Sequence, residues 1–262
     1  MTSAVLEAQQ LVRSYGRGDT RFEALRGVSL RIDRGESVAV VGKSGSGKST
    51  LMHLLALLDA PTSGEVLLAG RRATAMTTPE LNRLRNATFG FVFQQFFLAP
   101  HQSVLQNVVL PLTIAGVGRA ERRRRGLAVL ERLELAEKAA SRATDLSGGQ
   151  KQRAAIARAL VNDPAVVFAD EPTGNLDSAT GAIVEDMLLG LHRERGITVV
   201  VVTHDEDLAA RCDRQVHLRD GLVVADSGPV GPIRATSPRH AAAAEHRAPG
   251  NGALAGPLGG AR

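Results

Sequence analysis

The sequence holds one cysteine, Cys212, one tyrosine and no tryptophan among its 262 residues. A single cysteine excludes an internal disulfide, and without ligating neighbours it reads as a small core filler. Aromatics at 3% leave little to stack on nucleic-acid bases. Long apolar runs are also missing. The longest, Ile197 to Val202, is interrupted only by Thr198 and falls far short of the ~20 residues that a membrane helix needs. The start of the chain lacks a basic-then-apolar signal pattern, so the chain is expected to stay in the cytoplasm. Charge of one sign is modest: 32 Lys+Arg against 27 Asp+Glu leave +5, which does not decide a partner. With 44% hydrophobic and 23% charged residues, the composition suits one or two globular domains.

What is present centres on Gly42-Lys43-Ser44-Gly45-Ser46-Gly47-Lys48-Ser49-Thr50. An apolar strand, Ser37 to Val41, precedes it, and an apolar helix beginning near Lys48 follows, carrying Leu51, Leu54, Leu55 and Leu58. This is G-x-x-x-x-G-K-[ST] in its strand–loop–helix setting. Glycines let successive N–H groups face one centre as an anion nest, and the helix dipole points at the same place. Lys48 supplies a charge for β- and γ-phosphates, and the Ser49 hydroxyl a ligand for Mg²⁺. A flexible Gly/Ser loop is the bland alternative, and the flanking strand and helix argue against it. The pattern predicts binding of a nucleoside triphosphate.

Residues 4 to 36 alternate apolar and polar positions, as short antiparallel strands with one buried face would. Tyr15 falls in a loop before the second strand, where it is either an ordinary loop aromatic or a ring stacked on a base. Pro61 to Gly64 is a turn before a strand from Glu65 to Ala69. Thr78-Pro79-Glu80 starts a helix, with Thr78 as cap and Pro79 at the first helical position. Phe89 to Phe93 is a strand ending in Gln94-Gln95, and Leu105 to Ala140 has a helical pattern. Within it Arg122 to Arg125 span all sides of a helix. That suits a solvated surface, with lipid headgroups or an acidic partner as the alternative.

Leu146-Ser147-Gly148-Gly149-Gln150 opens a further helix, capped by Ser147 with free N–H groups at Gly148 and Gly149. The strand Ala165 to Ala169 then delivers Asp170-Glu171. A carboxylate there holds Mg²⁺ after a phosphate loop, and Glu171 suits a general base for an attacking water. Leu176-Asp177 precedes a helix through Leu189. Ile197 to Val202, almost all β-branched, reads as a central strand covered on both faces. His204 follows it, at the end where open α/β sheets bind ligands. Gln215 to Leu218 and Leu222 to Ala225 form a closing hairpin. In residues 226–262, 21 of 37 positions are Gly, Pro or Ala, so that tail is expected to be disordered.

Taken in order, these motifs resemble those of the ATP-binding cassette (ABC) ATPases over about residues 4 to 225. Residues 42 to 50 resemble Walker A, Leu146 to Gln150 the signature sequence, and Val166 to Glu171 Walker B. Asp177 falls at the D-loop position, His204 at the switch histidine, Gln94 at the Q-loop and Tyr15 at the base-stacking aromatic. The resemblance implies an α/β fold of the P-loop ABC type: a mixed core sheet flanked by helices, an N-terminal antiparallel β subdomain and a helical signature subdomain at about residues 95–160. It implies ATP and Mg²⁺, with Ser49, Gln94 and Asp170 at the metal. Glu171 would polarise the water and His204 would contact the γ-phosphate. Leu146 to Gln150 would act in trans, completing the partner's site in a head-to-tail homodimer.

Ala24 to Leu30, Leu51 to Ala56, Leu58 to Gly64 and Pro172 to Asp177 narrow the likeness. They are similar to the ATPase subunits of macrolide exporters, lipoprotein-release systems and the cell-division FtsE-like type. This implies a separate integral-membrane permease, a place at the cytoplasmic face of the plasma membrane and no nucleic-acid partner. Lys43 occupies a variable loop position, and His101-Gln102-Ser103 departs from the commoner run near the permease-docking groove. A cell-wall regulator that transports nothing, an importer subunit and a soluble ABC ATPase acting on DNA or ribosomes are the alternatives.

Overall fold

The computed structural model describes residues 4–228. The alternation at the start of the chain builds two long strands rather than several short ones: β1, Ala4–Tyr15, and β2, Phe22–Asp33. They pair antiparallel, with register shifts at Ala8/Leu11 and Arg13/Ser14. Such bulges bend and twist a ribbon without ending it, which is why turn-like residues such as Gln10 lie inside a strand. Tyr15 is accordingly the last residue of β1, paired with Phe22, and not a loop residue.

β3, Ser37–Val41, leads into α1, Lys48–Leu55. The helix stops before Leu58, which is 43% exposed. β4, Ser63–Leu68, and the short β5, Arg71–Arg72, complete a four-stranded antiparallel sheet in the order β2-β1-β4-β5. α2, Thr78–Thr88, is capped by Thr77, one residue earlier than expected. Thr77 and Glu80 form a reciprocal capping box, so the Glu three residues on selects the cap and Thr78 becomes the first helical residue. β6 runs Phe89–Phe93.

The helical stretch expected from Leu105 to Ala140 is broken. It comprises α3, Val104–Val108, α4, Leu110–Ile114, and α5, Arg119–Arg132. Pro111 has no N–H to continue α3, and Gly116 in the left-handed region (φ +74°) ends α4. The four consecutive arginines of α5, Arg122 to Arg125, are not equivalent. Arg122 donates to Thr113 Oγ1, Arg124 pairs with Glu121, and Arg125 reaches Val161 O and Asp163.

α6, Gly148–Leu160, begins at its predicted cap, Ser147, and β7, Val166–Asp170, follows. α7, Ser178–Arg195, outruns its expected end at Leu189. His192, Arg193 and Arg195 suit its C-terminal dipole, and Gly196 closes it in the left-handed region. β8, Thr198–Thr203, α8, Glu206–Ala210, β9, Arg214–Arg219, and β10, Leu222–Asp226, end the described chain. Asp226 thus belongs to β10, where it pairs with Arg214. The remainder of the 226–262 tail, beyond Gly228, lies outside the described residues.

The second sheet has the order β10-β9-β3-β8-β7-β6, parallel except for β10. Its central strand β8 is buried along its whole length, and its side chains alternate between two cores. Val200 and Val202 join Leu51, Leu54 and Leu55 of α1 and the inner face of β1 and β2. Val199 and Val201 join Ile156 of α6, Leu130 of α5 and Leu188 of α7. An α/β arrangement with both sheet faces covered requires such an apolar strand, as the sequence predicts. Among the described residues no helix is long and apolar enough to cross a membrane.

Candidate nucleotide site

Adjacent parallel strands bring the chemistry together. β3, β8 and β7 lie side by side, so the residues after Val41, Thr203 and Asp170 emerge at one sheet edge. The loop between β3 and α1 curls tightly there. Gly47 has φ +102°, and a Cβ on it would meet Ala24 O at 2.5 Å, so only glycine fits. Gly42 is equally confined: an added Cβ would lie 2.3 Å from Leu218 O. Lys43, Ser44 and Gly45 are exposed at the loop crest, and Thr50 is half-buried in α1. The Gly221 N–H donates to Ser46 O at 3.0 Å, tying the loop to the β9–β10 turn.

Lys48 is 8% exposed, and its Nζ donates to Gly42 O at 2.8 Å and Lys43 O at 3.2 Å. The ammonium is thereby held at the mouth of the loop. Ser46 Oγ is buried without a hydrogen-bond partner among the described residues. An orphaned buried hydroxyl is costly unless a ligand completes it, which suits a phosphate cradle. Ser49 Oγ donates to Asp170 Oδ1 at 3.4 Å. Burial pushes the Asp170 carboxyl above the usual range, while His53, Ser49 and Lys48 pull it back. A hydroxyl and a carboxylate are hard oxygen donors that fit Mg²⁺. No cluster of three or more His, Cys, Asp or Glu is present among the described residues, so a nitrogen- or sulfur-rich metal centre does not fit.

Glu171 lies just past β7 in the left-handed region (φ +45°), its N–H bonded to Val202 O at 2.8 Å. Its carboxylate sits 2.9 Å from His204 Nδ1, just past β8. Thr203 Oγ1 donates to Glu171 Oε2 at 3.5 Å. Gln94, just past β6, packs its side-chain amide against Gly174, where a Cβ would come within 2.8 Å of Gln94 Nε2. Asn175 Nδ2 donates to Gln94 O at 2.9 Å. Gln94 therefore leans on the turn that carries Glu171.

The remaining expected residues stand apart. Ser147 and Gln150 close a capping box on each other at the start of α6, and no hydrogen bond joins them to residues 42–50 among the described residues. Leu146 anchors that turn in the core, while Ser147 and Gly148 are exposed. Gly149 lies against Thr180, leaving no room for a Cβ. Asp177 caps α7, and the Thr180 N–H holds its carboxyl below the usual range. Tyr15 donates its hydroxyl to Asp59 at 3.2 Å, with the Arg13 guanidinium 4.6 Å over its ring. Phe22, 60% exposed, lines a cavity of about 700 Å³ together with Gly45. Sequence reasoning passed over Phe22, Thr203 and two inward-facing polar residues of α6, Gln152 and Arg158. The only signal for the last two is a polar side chain at a buried phase of an otherwise apolar helix face.

The model of the family described as ABC transporter matches residues 25–174, a span that includes residues 42–50, Leu146 to Gln150 and the Asp170-Glu171 pair. The chain belongs to the ABC transporter family. Its ATPase cassette is 46% identical to the lipoprotein-releasing system ATP-binding protein LolD of Geobacter metallireducens, over 86% of this chain and 100% of that one. It is 48% identical to the macrolide export ATP-binding/permease protein MacB of Nitrobacter winogradskyi over 87% of this chain. There the match takes up 35% of the relative, so the chain spans about a third of the macrolide-export relatives it matches. Among solved structures, the dimeric post-hydrolysis state of the ATP-binding cassette MJ0796, bound to ADP and Pi, is similar with a TM-score of 0.78. The identity is 41%, over 86% of this chain and 99% of that one.

Proposed function

We propose that this chain is the ATP-hydrolysing subunit of an exporter, driving a separate integral-membrane permease from the cytoplasmic face of the plasma membrane. The observation that carries the reading is the Glu171–His204 pair beside Ser49 and Asp170, at the ends of adjoining strands. Lys48 and the N–H groups of residues 42–50, Ser44 and Thr50 among them, bind the phosphates. Tyr15, with Phe22 beside it, meets the base. Ser49, Asp170 and Gln94 would hold Mg²⁺, which would supply neutralisation of the phosphate charge. Glu171 accepts a proton from the attacking water. Because Nδ1 of His204 faces Glu171, Nε2 is the ring nitrogen left to reach the γ-phosphate.

The exposed Ser147 and Gly148 complete the site of a second copy in a head-to-tail homodimer, and Leu176, next to the α7 cap Asp177, packs against Gly148. This agrees with the dimeric cassette to which the chain is similar. Residues 95–160 act as one helical subdomain that presents this turn. Within it, a cleft of about 830 Å³ carries Arg119, Arg122 and Arg123, with Leu105, Val109 and Leu110 and no carboxylate in its lining. Its charge and apolar floor suit an amphipathic segment of the permease. The export direction rests on the likeness to macrolide-export and lipoprotein-releasing proteins.

Glu171→Gln tests the reading. Steady-state ATP hydrolysis should fall by roughly 10²- to 10⁴-fold while ATP binding persists and an ATP-bound dimer accumulates. Near-normal turnover would remove Glu171 as the base.

A further inference from the structure

Helix α6 takes hold of two loops through two polar side chains, Gln152 and Arg158. Gln152 is 0% exposed. Its amide nitrogen donates to Pro172 O, and to Phe93 O at 3.4 Å. Six residues on, Arg158 donates to Phe97 O at 2.6 Å and Phe96 O at 2.9 Å, with no carboxylate paired to it among the described residues. Burial holds that guanidinium below its usual range. These two side chains therefore bind four backbone carbonyls, three in the segment around Gln94 and one in the turn after Glu171.

The two loops are themselves joined. Gly174 N–H donates to Glu171 O at 3.1 Å, and Asn175 to Gln94 O. Both loops carry a non-glycine residue in the left-handed region, Phe97 (φ +47°) and Glu171 (φ +45°). Such a conformation persists only where its surroundings over-determine it. Gln152 brings a further cost: its Oε1 is buried with no partner among the described residues. An apolar side chain of the same length would fill the space without an orphaned acceptor. The amide donors are what such a side chain could not supply.

We infer that Gln152 is a positioning residue that fixes the carbonyl before Gln94 and the carbonyl after Glu171 to the helix starting at Ser147. A displacement of that helix start then moves the base and the glutamine of the same chain together. The inference rests on the reading of Glu171 as the general base.

Gln152→Met in the full chain removes the donors at constant length. The expected result is a kcat for ATP hydrolysis lowered roughly 10- to 100-fold, the size that a small misplacement of a catalytic group produces, with KM for ATP near wild type. In a Gln152→Met/Glu171→Gln double variant, Gln152→Met should lower turnover almost no further than Glu171→Gln does alone, because both act on one step. A near-wild-type kcat for Gln152→Met overturns the inference, as does full additivity in the double variant, the mark of a merely structural residue. Should the Met variant fail to fold by circular dichroism, Gln152→Asn decides. It keeps the amide but is too short for both carbonyls, so it should lower kcat without raising KM, and unchanged kcat overturns the inference. The two readings fail separately: wild-type turnover in Glu171→Gln removes the base assignment, whereas wild-type turnover in Gln152→Met beside an inactive Glu171→Gln removes only the positioning role.

Discussion

Residues 42–50 and residues 146–150 each deliver a glycine-rich turn to the start of a helix, yet they allot their hydrogen bonds in opposite ways. The first turn is enclosed by its own chain. Gly47 fits under Ala24 O, Gly221 bonds Ser46, and the Lys48 ammonium caps two loop carbonyls. The second satisfies itself within four residues, Ser147 against Gln150, and leaves Ser147 and Gly148 facing solvent. A nest closed by tertiary contacts is preorganised for a ligand that arrives alone. A helix start with free N–H groups and, among the described residues, no tertiary hydrogen bonds is suited to a ligand carried on another surface.

Three measurements break or sharpen this contrast, the largest effect first. Lys48→Ala removes a buried cation from the closed turn. ATP affinity, read by titration calorimetry, should weaken by roughly 1.5–3 kcal/mol, some tenfold to a hundredfold. Unchanged affinity would sink the phosphate-loop assignment. Ser147→Ala acts on the open turn. Thermal denaturation should show the loss of a helix cap, about 1 kcal/mol, and turnover should fall while ATP binding to the isolated chain stays as it was. If binding weakened as much as in Lys48→Ala, the two turns would belong to one half-site and the contrast would fail.

The smallest effect concerns Asp170. Burial raises its folded carboxyl above the unfolded value, so the folded chain holds that proton more tightly. The resulting destabilisation is present above the raised value and fades as pH falls through it. Without nucleotide, Asp170→Asn should therefore raise Tm slightly at neutral pH, with the gain shrinking toward acid. A lowered Tm at neutral pH would mean that the contacts from Ser49, Lys48 and His53 outweigh burial.

Much of this was legible because the decisive signals are local. The tight loop between β3 and α1, the Ser147 cap and the bounds of β3 and β6 follow from residue type and spacing within a few positions. Errors arose where a neighbour decided the outcome. Glu80 selects Thr77 over Thr78 as a cap, and Pro111 and Gly116 divide a pattern whose periodicity alone looks continuous. Tyr15 joins β1 because Phe22 pairs with it across a turn. The facing of Glu171 and His204 was not readable at all, since it depends on β7 and β8 lying side by side. Gln152 was invisible for the same reason: its partners are backbone carbonyls 59 and 20 residues away.

The register of β3 bears on how the chain is born. Val38 to Val41 pair on one side with Val200 to Thr203 and on the other with Arg214 to His217. A ribosome therefore releases the phosphate loop long before either flanking strand exists, and such non-local parallel pairing forms slowly. The Gly221 contact that steadies Ser46 comes later still. Nascent chains halted before residue 198 should be unable to retain ATP, because neither strand that flanks β3 has yet been made.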